Sequence, residues 1–100
     1  MKNYTVRFSK SAREDMQVLF DYIALTCKSY KTANEYQQGL LNVINDLKKS
    51  AEIFHTMKGK YSQLYGFNVR RINFKKMTII YTVHGNIILI RRIIAGSLIQ

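Results

Sequence analysis

Proline is absent from this chain, and cysteine occurs once, at Cys27. A single cysteine excludes an internal disulfide and fits a reducing compartment. With no proline, no Gly/Ser linker, no repeat and no low-complexity tract, nothing marks a domain boundary, and 100 residues fit one domain. The longest apolar run, Ile87 to Ile90, is too short to cross a bilayer. The stretch from Met1 to Phe8 lacks the apolar core of a signal peptide. The expectation is a soluble cytoplasmic protein without a membrane partner. Acidic residues are missing over nearly half the length: from Ile53 to Gln100 there is no Asp and no Glu.

That same stretch holds eight basic residues, Lys58, Lys60, Arg70, Arg71, Lys75, Lys76, Arg91 and Arg92. All six carboxylates lie in residues 1–52, so the two parts carry about +2 and +8. A one-sided field of this kind concentrates polyanions or an acidic protein at the surface and speeds their arrival. A hydrophobic share of 47% is too high for a disordered basic tail and implies a folded core.

Periodicity gives the elements. Tyr4, Val6 and Phe8 alternate with Thr5 and Arg7, the pattern of a half-buried strand. Ser11 and Glu14 stand at capping-box spacing, which predicts a helix start there. Ala12, Met16, Leu19, Ile23 and Cys27 then form an apolar stripe, with Arg13, Glu14, Asp15, Gln17 and Asp21 turned to water. Thr32 and Glu35 repeat the capping spacing ahead of a second stripe, Ala33, Tyr36, Leu40, Ile44 and Leu47. The short link at 28–31 favours an antiparallel helix hairpin. Residues 50–65 have no clear period and read as a long loop, with room for a turn of helix. Strand patterns follow at 67–74, 77–83 and 87–94, the last two joined by Gly85-Asn86, which suits a tight hairpin. The expected fold is α+β in the order β-α-α-β-β-β, with the helix hairpin packed on one face of a mainly antiparallel sheet.

Two helices cover one face, yet the last strand is apolar on both. The choice is between an exposed apolar surface that a partner covers and coverage by the 50–65 loop. Ile88, Ile90, Ile94 and Leu98 are the candidates for that partner surface. Adjacent strand residues point to opposite faces, so without a bulge each arginine doublet sends one guanidinium to the open side. Arg7 is expected there too. The predicted basic cluster comprises Arg7, Lys58, Lys60, Arg70, Arg71, Arg91 and Arg92, with Tyr61 and Tyr65 as stacking surfaces for unpaired bases. Tyr81, between Ile79 and Val83, reads as a packing residue.

Catalytic signals are sparse. His55 and His84 are the sole histidines, and no metal-ligand spacing and no phosphate-binding glycine loop occur, so neither metal nor cofactor is expected. Metal-free RNA cleavage needs proton transfer and stabilisation of a charged phosphate. Arg70, Arg71 and Arg92 are the candidates for the second task, and His84 for the first.

The residues from Tyr4-Thr-Val-Arg-Phe-Ser9 through Ala12, Asp15 and Asp21-Tyr22-Ile23 resemble the RelE/ParE superfamily of bacterial type II toxins. So do Val69-Arg70-Arg71-Ile72, Ile79-Ile80-Tyr81-Thr82-Val83 and Ile87-Ile88-Leu89-Ile90. The resemblance covers nearly the whole chain and implies the same order of elements. It also implies an acidic antitoxin that wraps and blocks the toxin. RelE-like members cleave messenger RNA at the ribosome with a basic cluster that includes an Arg on the second strand, matched here by Arg70 or Arg71. Many also carry Arg, His or Tyr after the last strand, where this chain has Ala95-Gly96-Ser97-Leu98-Ile99-Gln100. ParE-like members poison DNA gyrase, and the start of this chain is more similar to theirs. The resemblance therefore implies a ParE-like gyrase inhibitor first, a RelE-like ribonuclease second, and a non-toxic nucleic-acid-binding module third.

Overall fold

The computed structural model describes residues 3–98. Strand β1 (Thr5–Phe8) leads into helices α1 (Lys10–Cys27) and α2 (Tyr30–Ser50). A short helix α3 (Lys60–Tyr65) precedes β2 (Val69–Phe74), β3 (Met77–His84) and β4 (Ile87–Ala95), and a 3₁₀ turn covers Gly96–Leu98. The sheet order is β1-β4-β3-β2, parallel between β1 and β4 and antiparallel elsewhere. The expected β-α-α-β-β-β order and helix hairpin are present.

The helix starts fall earlier than the capping-box spacing predicts. Ser9, not Ser11, caps α1: its Oγ accepts from the Ala12 N–H at 3.0 Å and donates to the Arg91 carbonyl at 2.9 Å. Ser29, not Thr32, caps α2 in the same way, accepting from the Thr32 N–H at 3.1 Å. Each serine satisfies a backbone donor that the helix itself leaves unpaired. The connection shrinks to Lys28 and Ser29, with Lys28 in the left-handed region at φ 52°.

The main core lies between the hairpin and one sheet face. Leu40, Ile44 and Leu47 of α2 meet Ile72, Ile79, Tyr81, Ile88, Ile90 and Ile93 of the sheet, with Ala12, Met16 and Leu19 of α1 alongside. Each of these large side chains contributes about 1.5–3 kcal/mol by leaving water. Cys27, expected in this core, is exposed instead. It lies in the last turn of α1, beyond the part that overlies the sheet. Among the described residues, no helix is long and apolar enough to cross a membrane.

Two irregularities shape the opposite face. The β3–β4 register shifts between Ile80 and Tyr81: Tyr81 faces Ile90, yet Ile80 faces Arg92. The extra residue, Arg91, is a bulge that reverses the alternation of β4. The second irregularity is that β1 pairs only with Ile87–Ile90. Beyond Ile90 the outer edge of β4 is met by α1 and its cap. Ser9 N–H donates to the Ile90 carbonyl at 2.9 Å, and the Asp15 carboxylate accepts the Ile93 N–H at 2.9 Å. Asp15 is thus half-buried at a sheet edge rather than turned to water.

Candidate functional site: the outer sheet face

Strand parity assigns the outer face. Val69, Arg71 and Asn73 of β2, Thr78, Ile80, Thr82 and His84 of β3, and Ile87, Leu89 and Ile94 of β4 lie away from the hairpin. The middle of this face is covered by the chain itself. Met57 N–H donates to the Val69 carbonyl at 2.8 Å, and Thr56 bridges to Arg70. Met57 and Tyr61 are then buried over Val69 and Ile80, with Tyr65 and Ile94 packed around them. The segment read as a long loop therefore includes α3 and forms a lid. Tyr61 belongs to the lid's buried underside and offers no free stacking surface.

The lid changes the predicted basic cluster. Arg70 shares the parity of Ile72 and Phe74 and points to the hairpin side, donating to the carbonyls of Glu52 and Phe54 at 3.1 and 2.5 Å. Tyr81 donates its hydroxyl to the Ala51 carbonyl at 2.7 Å. These two sheet residues hold main-chain carbonyls of the turn that follows α2. Burial pushes the Tyr81 phenol up to about 12, while the nearby Arg70 charge acts in the opposite sense. Tyr81 is fully buried, as its flanking pattern predicts.

Because of the bulge, Arg91 and Arg92 do not split between faces. Arg91 Nε donates to Thr82 Oγ1 at 3.1 Å, and its guanidinium lies 5.2 Å from the centre of the Tyr65 ring. Thr82 Oγ1 is also 2.8 Å from His84 Nε2, which is 3.4 Å from Arg91 Nη2. The network is satisfied when Nε2 keeps its lone pair and accepts the Thr82 hydroxyl proton. His84, the candidate proton-transfer residue, therefore has one ring nitrogen engaged internally. Arg92 makes a forked contact with Asp15, at 2.7 and 3.1 Å. The hydrogen bond to Asp15 is the first cause holding the Arg92 pKa above its ordinary value.

Arg7, Arg71, Lys58 and Lys60 remain exposed. Arg7 stands beside Leu89, with Thr82 on the far side of Leu89. Lys60 Nζ lies 5.7 Å from the centre of the Tyr61 ring. Arg71 borders an open groove of about 450 Å³ at the β2–β3 turn. His55 is exposed in the segment between α2 and α3.

The proposed apolar surface is also corrected. Ile88 and Ile90 face the hairpin and are fully buried, because the core alternation runs through them up to the bulge. Ile94 falls on the outer face but is half-buried beneath the lid, and Leu98 alone of the four is well exposed. Sequence reasoning missed Asp15, Asn73, Thr78 and Thr82. The polar residues at 78, 82 and 84, alternating with Ile79, Tyr81 and Val83, were the available signal for a polar outer row on β3. Nothing local to Asp15 signalled its partner 77 positions away.

The family model for the ParE toxin of the type II toxin–antitoxin system parDE matches residues 6–97. The chain belongs to the ParE toxin family. It is accordingly a toxin of a type II toxin–antitoxin system within the RelE/ParE superfamily. No curated protein gives a significant match. Among solved structures, it is similar to the chromosomal ParDE toxin–antitoxin system of P. aeruginosa, with a TM-score of 0.77 at 16% identity, covering 93% of this chain and 96% of that one. It is also similar to the RelBE2 toxin–antitoxin complex of Mycobacterium tuberculosis, with a TM-score of 0.57 at 18% identity over 93% and 98% of the two chains. The E. coli DinJ–YafQ toxin–antitoxin complex gives 0.60 at 11% identity over 98% and 99%. At these identities the likeness concerns the fold that this ParE-family toxin shares with them.

Proposed function

We propose that this toxin acts by binding DNA gyrase, without chemistry of its own, and that an acidic antitoxin neutralises it. One observation carries the reading. Of the three arginines that a phosphate-cleaving site would use, Arg70 is bonded to main-chain carbonyls and Arg92 to Asp15, which leaves Arg71 alone. A guanidinium tied to the protein's own oxygens is poorly placed to receive charge that develops on a phosphate during reaction. The chain's membership of the ParE family, and not of a RelE-like one, is in keeping with this reading. An antitoxin partner fits the field over residues 53–100, a stretch of eight cations with no carboxylate of its own, in which Arg92 is paired with Asp15. The neighbours from M. tuberculosis and E. coli are themselves toxin–antitoxin complexes.

Induced expression tests the reading. The expected outcome is DNA damage and filamentation while messages stay intact. Rapid arrest of translation with cleaved messages would replace gyrase binding with ribonuclease action centred on Arg71.

A further inference from the structure

The groove beside Arg71 has a chemistry of its own. It lies at the open end of the outer face, away from the lid, and is bordered by Arg71, Asn73, Lys76, Met77, Ala95 and Ser97. The Thr78 hydroxyl donates to Asn73 Oδ1 at 2.9 Å, which turns the Asn73 amide N–H groups toward other acceptors. Gly96 closes the far side: its N–H donates to the Lys76 carbonyl at 2.8 Å, and a Cβ there would sit 3.3 Å from both that oxygen and Thr78 Oγ1. The polar side chains left free, Arg71, Asn73, Lys76 and Ser97, all offer hydrogen-bond donors. A lining of donors selects a ligand rich in acceptors, and a fixed guanidinium fork selects paired oxygens.

Carboxylates and phosphates both satisfy that rule, and the remaining walls separate them. No aromatic ring borders the groove, so an unpaired base would find no stacking platform. Met77 and Ala95 turn their side chains to the hairpin side and border the groove only at its rim, so the apolar surface within it is that of the Arg71 and Lys76 stems, which suits peptide side chains between carboxylates. We infer that this groove is the docking site for an acidic peptide segment, with Arg71 and Lys76 holding its carboxylates and their aliphatic stems its apolar side chains. This rests on the reading that an acidic antitoxin neutralises the toxin, and names where its charge is met. It is independent of what the toxin attacks.

The test is an NMR titration of the full chain with an acetylated, amidated pentapeptide alternating Glu and Leu, and in parallel with a short oligothymidylate. The expected result is peptide-dependent shifts at the Gly96 amide and the Asn73 side-chain amide. Affinity should fall roughly tenfold in Arg71→Ala and again in Lys76→Ala, as loss of a charge-assisted bond requires. Lys48→Ala, on the last turn of α2, should leave it unchanged. Shifts confined to other surfaces, unchanged affinity in both groove variants, or no binding up to about 1 mM would overturn the proposal. So would oligothymidylate displacing the peptide from these residues, which would make the groove a nucleic-acid site. Loss of peptide binding with gyrase inhibition intact would remove this inference alone, and the converse result would remove only the gyrase reading.

Discussion

Asp15 on α1 holds Arg92 on β4 through two hydrogen bonds, and the same carboxylate accepts the main-chain N–H of Ile93. It takes over at the point where β1 ends and the edge of β4 would otherwise be unpaired. Removing the carboxylate strands both a guanidinium and a backbone donor. Asp15→Ala should lower stability by about 1–3 kcal/mol, as loss of the acceptor for a half-buried donor requires. Arg92→Ala should cost less, since Ile93 keeps its acceptor and the pair is partly open to solvent. Urea denaturation of the two single variants and the double variant measures the coupling.

Arg70 and Arg71 are adjacent yet have different work. Arg70 bonds to the Glu52 and Phe54 carbonyls behind α2, whereas Arg71 is exposed on the outer face. Arg70→Ala should cost about 1–3 kcal/mol of stability. Arg71→Ala should stay within about 0.5 kcal/mol of the parent, as surface changes do. Thermal unfolding of the two variants separates the roles. Equal destabilisation by both arginine variants would contradict the assignment.

The Tyr81 phenol predicts a loss of stability in alkali. Its pKa is raised by burial to about 12, against 10.0 for the free group. Below pH 10 the phenol is protonated in both folded and unfolded chains, and its full contribution is present. Between pH 10 and 12 the unfolded chain loses the proton first, so stability falls as pH rises, by about 2–3 kcal/mol in all. Tyr81→Phe should be less stable at neutral pH because the Ala51 carbonyl loses its donor. It should also lose less between pH 10 and 12. Equal alkaline slopes for parent and variant would contradict this.

Gly39 in α2 faces the ring of Phe74. A Cβ at that position would come within 2.8 Å of Phe74 Cζ, and the ring is itself packed edge-on against Tyr36. Gly39→Leu should destabilise by about 1–3 kcal/mol through overpacking. The same change in a Phe74→Ala background should cost less, because the obstructing ring is gone. Chemical denaturation of this set reads the coupling directly.

The element order was legible because each element carries its own period. Tyr4, Val6 and Phe8 repeat every two residues, and Leu40, Ile44 and Leu47 repeat every three or four. The outer face was less legible, for identifiable reasons. A bulge at Arg91 changes parity, and no local feature of two adjacent arginines distinguishes a bulge from a regular strand. As a result Ile88 and Ile90 went to the core, and both Arg91 and Arg92 went outward. The lid was ambiguous because Met57, Tyr61 and Tyr65, though four residues apart, are too few to mark a helix face over residues 50–65, and they pack against Val69, Ile80 and Ile94 of the sheet. The pairing of Asp15 with Arg92 arises only from the fold, where the end of β1 leaves an edge that α1 must cover.

The most direct test of gyrase binding uses the purified toxin in two reactions. One is supercoiling by gyrase on relaxed plasmid, and the other is incubation with messenger RNA, with and without ribosomes. The account predicts inhibited supercoiling with accumulation of cleaved gyrase–DNA complexes, and messenger RNA that stays intact in both conditions. Cleaved messenger RNA with unimpaired supercoiling, lost in Arg71→Ala, would contradict it.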